Sequence, residues 1–317
     1  MKTIFLGSGQ FGLPCLDALR KSRHAPGLIV TQTPQPAGRG RKIQHTPVAS
    51  WSKLNSVACV ETDNVNSPEI IEKIDRCKPD IAVVIAFGQK IGRELIDLPA
   101  KGTINVHSSL LPKYRGAAPI NWAVINGDTK TGITIFALVE KMDAGPVCAN
   151  AQTEILPDET ADSLHDRLAG LAAPLLLETL DKIEDGSVIY TGQDNSQATS
   201  ARKLKKTDGF IDFNEPAEKL RRKILGLWSW PGASAVYVSK KTGKCVQTTF
   251  VIARVVKTTN HSSLTPGVLD ENLHIICGAD ALEIIKIKPA GGHLMDFRDF
   301  ANGRKTCPGD LFMKIEK

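Results

Sequence analysis

Asn105 and His107 stand two residues apart at the end of an apolar run, Ile104-Asn105-Val106-His107. On a β-strand that spacing sends both side chains to one face. A carboxamide and an imidazole sharing one space suit a carbonyl carbon that becomes tetrahedral. The amide binds a developing oxyanion, and the imidazole moves a proton near neutral pH. Downstream, Lys141-Met142-Asp143-Ala144-Gly145 offers a carboxylate on a glycine-containing turn. Asn105, His107 and Asp143 together form a candidate catalytic constellation that needs no nucleophilic Ser or Cys. Taken singly, each has a plainer reading: a satisfied core histidine, or an Asp that caps a turn. The shared strand face is what favours chemistry for Asn105 and His107.

Such a site needs strands that end together. Residues 2–6 read as a buried strand, Phe11–Lys21 as a helix with Pro14 in its first turn, and Leu28–Thr31 as the next strand. A Pro/Gly-rich loop runs from Thr33 to Pro47. A helical pattern over Val48–Asn55 and a short strand at Ala58–Val60 follow. Ser67-Pro68-Glu69 opens a helix, with Ser67 as its cap. Ile81–Ala86 is an uninterrupted apolar run, as expected of a central parallel strand covered on both faces. Another strand ends at His107. The alternation predicts a doubly wound, mostly parallel α/β sheet, whose sites lie beyond the carboxyl ends of the strands. Phe87-Gly88-Gln89 follows one such end and is a candidate wall of the same cleft.

Beyond these lie a strand at Thr131–Ala137, its hairpin partner at Val147–Ile155 and a long helix over Ala161–Glu184. Residues 190–208 are polar and read as a linker. After it, helical pattern is confined to Ala217–Leu227. Short strands follow at Ala235–Val238, Cys245–Val256, Gly267–Leu269, His274–Cys277 and Ala281–Ile287, a spacing that suggests a small β-barrel, with an OB-like fold one candidate. The expected division is residues 1–189, a linker over 190–208, and a second, smaller domain over 209–317.

The 317 residues, 42% hydrophobic and 23% charged, are the composition of an ordinary soluble protein of about two domains. No apolar run is long enough to span a membrane, and the N-terminal apolar stretch is too short for a signal peptide, so a cytoplasmic setting without membrane attachment is expected. Seven scattered cysteines with no C-x-x-C pair argue against a disulfide framework and against a zinc site. Gly7-Ser8-Gly9-Gln10-Phe11-Gly12 matches the dinucleotide fingerprint G-x-G-x-x-G. However, the second strand ends Ile29-Val30-Thr31-Gln32-Thr33, without the acidic residue a ribose needs. A tight strand-to-helix turn is the better reading, and no NAD site is expected.

The segment Asn105–Pro119, with Gly127-Asp128, Thr131-Gly132 and the Asp143 turn, closely resembles the folate-dependent formyltransferases. Pro36–Lys42, Ala201–Leu204 with Asp208-Gly209, Trp230-Pro231-Gly232-Ala233 and Lys288-Pro289-Ala290-Gly291 resemble the branch of that family that acts on aminoacylated tRNA. The resemblance spans nearly the whole chain. Gly9 and Gly12 depart from it, standing where the family usually has Pro and Ala. The resemblance implies a Rossmann-like catalytic domain, an OB-like second domain, and transfer of a formyl group from 10-formyltetrahydrofolate to the α-amine of methionyl initiator tRNA. No metal and no obligate protein partner are expected. Under it, Asn105 and His107 stabilise the oxyanion, and His107 also moves protons. Asp143 orients His107 or accepts the amine proton. Ser109, Leu110, Leu111 and Pro112 contact the folate, with Phe87, Gly88 and Gln89 adding backbone hydrogen bonds.

The loop holding Arg39, Gly40, Arg41 and Lys42 concentrates cations among flexible residues, which the resemblance makes an arm for tRNA phosphates. Lys203, Lys205 and Lys206, beside Arg202, form a second basic group, and Arg221-Arg222-Lys223 a third. The net charge of +6 permits a polyanionic partner without requiring one. Four other functions compete: a formyltransferase for an amino sugar nucleotide, a folate-dependent hydrolase, a non-catalytic tRNA-binding module, and a nicotinamide oxidoreductase resting only on the glycine turn.

Overall fold

The structure is a computed structural model describing residues 1–37, 40, 42–258 and 265–316. The chain divides into two compact units. The first comprises Met1–Pro119, Lys130–Glu154 and His165–Ala201; the second comprises Ile120–Thr129, Ile155–Leu164 and Arg202–Lys317.

The first unit opens with β1 (Thr3–Gly7), α1 (Leu13–Arg20) and β2 (Pro26–Thr31). A hairpin of β3 (Gln35–Ala37) and β4 (Lys42–Gln44) then occupies the segment read as a loop. Next come α2 (Pro47–Asn55), β5 (Cys59–Glu61), α3 (Pro68–Asp75), β6 (Ile81–Ile85), α4 (Arg93–Asp97) and β7 (Thr103–His107). The unit also holds β8 (Arg115–Gly116), β9 (Lys130–Ala137), β10 (Val147–Glu154) and β11 (Ser200–Ala201). Between β8 and β9 runs α5 (Pro119–Asn126), and α6 (Ala161–Asp185) follows β10.

The main sheet has the order β10-β9-β7-β6-β1-β2-β5. Its β7-β6-β1-β2-β5 portion is parallel, while β9 and β10 are antiparallel additions. All five residues of β1 and of β6 are buried, as continuous apolar strands between two covered faces must be. On one face Ile4, Leu6, Leu28, Val30, Ala82 and Val84 pack with Ile70 and Ile74 of α3 and Leu95 and Ile96 of α4. Helix α2 is capped by Thr46, whose hydroxyl accepts from the Ala49 amide. Ser67 occupies the equivalent place before α3 but makes no capping hydrogen bond, so Pro68 and Glu69 are left to favour that start.

The second unit contains α7 (Ala217–Leu227), β12 (Ala233–Val238), β13 (Cys245–Val256), β14 (Ile275–Ile276), β15 (Ala281–Pro289), β16 (Met295–Asp296), α8 (Phe297–Arg304) and β17 (Leu311–Met313). Its sheet runs β14-β15-β13-β12-β17, with β16 added beside β15. The segment 267–269, expected as a strand, makes single bridges instead: Val268 to Leu311 and Leu269 to Ile275. Those two bridges link the free edges of β17 and β14 and bring the sheet close to a closed barrel, which removes exposed edges. Phe213, Phe250, Phe312 and Tyr237 fill its interior. The fully buried Asp310 carboxylate accepts from the Tyr237 hydroxyl and from the amides of Lys240 and Cys307. Burial pushes that carboxyl up, but these hydrogen bonds prevail and hold it below its ordinary range. Burial and the Asp310 bond raise the Tyr237 phenol to about 12.

Candidate active site

β7 ends at the site. It pairs in parallel with β6, Val84 opposite Asn105, and antiparallel with β9, Phe136 opposite Asn105 and Thr134 opposite His107. Being two apart on one strand, Asn105 and His107 leave the same face, as the spacing predicted. Asn105 is half-buried, whereas His107 is 7% exposed. The third group arrives from the turn after β9. Asp143, in the left-handed region with φ +50°, is 8% exposed.

The contacts around His107 assign its ring atoms. Nε2 lies 2.9 Å from the carbonyl oxygen of Tyr114. A carbonyl only accepts, so Nε2 carries the hydrogen of the neutral ring and Nδ1 is the basic nitrogen. Nδ1 faces Asp143 Oδ2 at 3.9 Å. That gap is longer than a hydrogen bond, and it places the carboxylate where a proton gained by Nδ1 would be stabilised. Burial pushes the imidazole below 6.5, against the Asp143 charge and the Tyr114 carbonyl, which raise it. His107 is thus a neutral base at physiological pH with a cation-stabilising partner beside it. Asp143 Oδ2 also accepts from the Gly116 amide at 2.7 Å.

The loop after His107 is rigidly laced. The Ser109 hydroxyl donates to Lys113 O at 2.7 Å, Thr134 Oγ1 donates to Ser109 O at 2.7 Å, and the Leu111 amide donates to Thr134 Oγ1 at 3.0 Å. Ser109 is fully buried, so its hydroxyl holds the loop, while Leu110, Leu111 and Pro112 are half-exposed. In the turn after β6, Phe87 is 3% exposed and belongs to the sheet core. Its carbonyl accepts from Ser8 Oγ, and the Gln89 amide bridges Thr62 O and the Val65 amide. Gly88 between them is exposed, with φ +80°.

In the glycine turn two amides are already taken. The amides of Ser8 and Gly9, which a pyrophosphate would need, both donate to Ala86 O at 3.2 and 3.3 Å. Packing accounts for the glycines instead: a Cβ on Gly12 would come 2.9 Å from Phe5 Cζ, and one on Gly9 3.3 Å from Ala86 Cβ.

Residues 1–180 match the family model described as formyl transferase, and residues 203–305 match the model of its C-terminal domain. The chain is 37% identical over 319 aligned positions to the methionyl-tRNA formyltransferase of Trichlorobacter lovleyi, covering 99% of this chain and 98% of that one. The chain belongs to the formyl transferase family. Many solved structures share the fold, the following two among them. A sugar 3N-formyl transferase, WlaRD, crystallised with dTDP and 5-N-formyl-THF, superposes with a TM-score of 0.63 at 12% identity, covering 100% of this chain and 98% of that one. HypX from Aquifex aeolicus, in complex with tetrahydrofolic acid, gives 0.61 at 18% identity; the match takes in all of this chain and 51% of the HypX chain.

Within this family member the basic groups fare differently. Lys42 is exposed on β4 and Gly40 has φ +86°, whereas Arg39 and Arg41 lie outside the described residues. Lys203, Lys205 and Lys206 are exposed. The third group is occupied: Arg221 and Arg222 pair with Glu218, Arg221 also with Asp158, and Lys223 approaches Glu215. One grouping of metal-ligand type occurs among the described residues, His24 with Asp181 and Glu184, but Arg23 already pairs with both carboxylates. No helix among the described residues is long and apolar enough to cross a membrane.

Sequence reasoning missed the residues that hold this site together. Gln193, Thr199 and Ala201 fall in the stretch read as linker. The Gln193 amide donates to Asp143 O and Gly145 O and accepts from Arg115. β11 pairs with β8. Polar residues without periodicity give no sign that they brace a site; the Gln193 hydrogen bonds and the parallel bridge of Ser200 and Ala201 to Arg115 and Gly116 reveal it.

Proposed function

We propose that the chain transfers the formyl group of 10-formyltetrahydrofolate to the α-amino group of methionyl initiator tRNA, giving N-formylmethionyl-tRNA. The observation that carries this reading is the buried His107–Asp143 pair at the end of β7, on the face shared with Asn105, in a chain that is 37% identical to a methionyl-tRNA formyltransferase over 99% of its length.

The chemistry follows from the atoms. The amine nitrogen attacks the formyl carbon, and the C=O π pair moves onto oxygen. The Asn105 carboxamide donates to that oxyanion. The amine proton passes to His107 Nδ1, and Asp143 stabilises the imidazolium. Collapse of the intermediate breaks the bond to N10 of the folate, and Nδ1 returns a proton to N10. His107 ends neutral, with Nε2 still donating to Tyr114 O. Leu110, Leu111 and Pro112 pack against the flat folate, while Ser109 fixes their loop and the backbone of Phe87, Gly88 and Gln89 lines the other side. Gly40, Lys42, Lys203, Lys205 and Lys206, with Arg39 and Arg41, grip tRNA phosphates. Residues 1–189 carry the chemistry, 190–208 join the parts, and 209–317 serve tRNA binding. The setting is cytoplasmic, with no membrane and no obligate protein partner.

The test supplies purified protein with 10-formyltetrahydrofolate and, separately, methionyl initiator tRNA, free methionine or an amino sugar nucleotide, and measures formylated product. Formylation of the tRNA above the others is expected. Preference for the amino sugar nucleotide would establish the alternative, and release of formate without an acceptor would indicate a hydrolase.

A further inference from the structure

We propose that Gln193 is a positioning residue for this reaction, setting the geometry of Asp143 and, through β8, of His107. The inference rests on the reading that these two side chains carry formyl transfer.

Gln193 satisfies its whole amide between two structures that each hold one end of the site. Nε2 donates to Asp143 O at 2.9 Å and to Gly145 O at 2.8 Å, pinning the turn on which the carboxylate stands. Oε1 accepts from Arg115 Nε at 3.1 Å and Nη2 at 2.6 Å, pinning β8. Arg115 Nη2 also donates to Asn195 Oδ1 at 2.9 Å. The catalytic side chains find their own partners on that same backbone. Tyr114 O holds His107 Nε2, and the Gly116 amide holds Asp143 Oδ2. The stretch after Gln193 then hangs β8 in place. Thr199 Oγ1 accepts from the Tyr114 amide and Thr199 O from the Arg115 amide, both at 2.8 Å, while Ala201 O accepts from the Ala117 amide at 2.8 Å. The 3.9 Å separation of imidazole and carboxylate is therefore fixed from behind by residues 193–201. Gln193 thus bonds to both the Asp143 turn and β8.

No other neutral side chain of this length both donates twice and accepts. Gln193→Met keeps the shape and loses all four bonds. Gln193→Glu keeps the acceptor for Arg115 but turns an oxygen toward two carbonyls. Both variants are expected to lower kcat by about tenfold to a hundredfold, the scale of an ångström's misplacement at a reacting centre. KM for folate and for tRNA should stay within about threefold, because neither variant removes a substrate contact. Independently of turnover, hydrogen exchange at the Gly116 amide should accelerate about tenfold or more in Gln193→Met, while amides of β1 and β6 keep their wild-type protection. Wild-type kcat in either variant, or acceleration at Gly116 matched in β1 and β6, would overturn the proposal. A wild-type protein that formylates nothing would sink the functional reading alone, and the Gly116 exchange would then decide this one.

Discussion

His107 lies beside a carboxylate, yet its imidazole sits below the ordinary 6.5 because burial outweighs the attraction of Asp143. The sign of two effects follows. With a folded pKa below the free value, the neutral base is fully present above pH 6.5 and is lost as pH falls through the lower folded value. Asp143→Asn removes a charge that raises the pKa, so the His107 titration, followed by NMR of its ring carbon, should move further toward acid. A shift toward neutral pH would show that Asp143 is not the partner of Nδ1. The strand spacing of Asn105 and His107 was legible from residue types alone. The partner of Nε2 was not, because a backbone carbonyl seven positions away leaves no mark on the sequence.

At the scale of elements, the pairing of β8 with β11 depends on Gly116. Its φ of +125° is open to glycine, and a Cβ there would stand 2.6 Å from Ala201 O. Gly116→Ala is therefore expected to destabilise the first unit by about 1–3 kcal/mol through backbone strain and to reduce turnover by displacing the amide that holds Asp143. Gly170→Ala, in α6 with open space around it, is the control and should keep or raise the melting temperature. An unchanged melting temperature and turnover for Gly116→Ala would contradict the role given to this pairing. Elements with a strong period were readable: β1, β6, α7 and β13 lie where their apolar patterns put them. The hairpin β3–β4 and helices α4, α5 and α8 went unforeseen. The Pro/Gly content around the hairpin reads as loop, and the five-residue α4 is too short for its period to register.

For the whole molecule, alternating βα grammar followed by short strands foretold a parallel sheet and a barrel, because each pattern buries its apolar residues in only a few ways. Near-closure through single bridges at Val268 and Leu269 lay beyond pattern reading, since two isolated pairs make no periodic strand. The fingerprint Gly7–Gly12 was read as a tight turn, and two of its amides donate to Ala86 O. Charge also acts at this scale. If the six cations Arg39, Arg41, Lys42, Lys203, Lys205 and Lys206 all meet phosphates, the log of tRNA affinity should fall against log salt with a slope of about −4 to −5. Replacing Lys203, Lys205 and Lys206 by Gln together should flatten that slope by about two to three. A salt-independent affinity would remove the nucleic-acid role of both clusters.

The most direct test is single-turnover formylation of methionyl initiator tRNA by the wild-type protein and by Asn105→Ala, His107→Ala and Asp143→Ala, with folding of each verified by thermal melting. The site described here predicts a loss of about a hundredfold or more for each variant with the melting transition retained. Near wild-type rates in all three variants would contradict it.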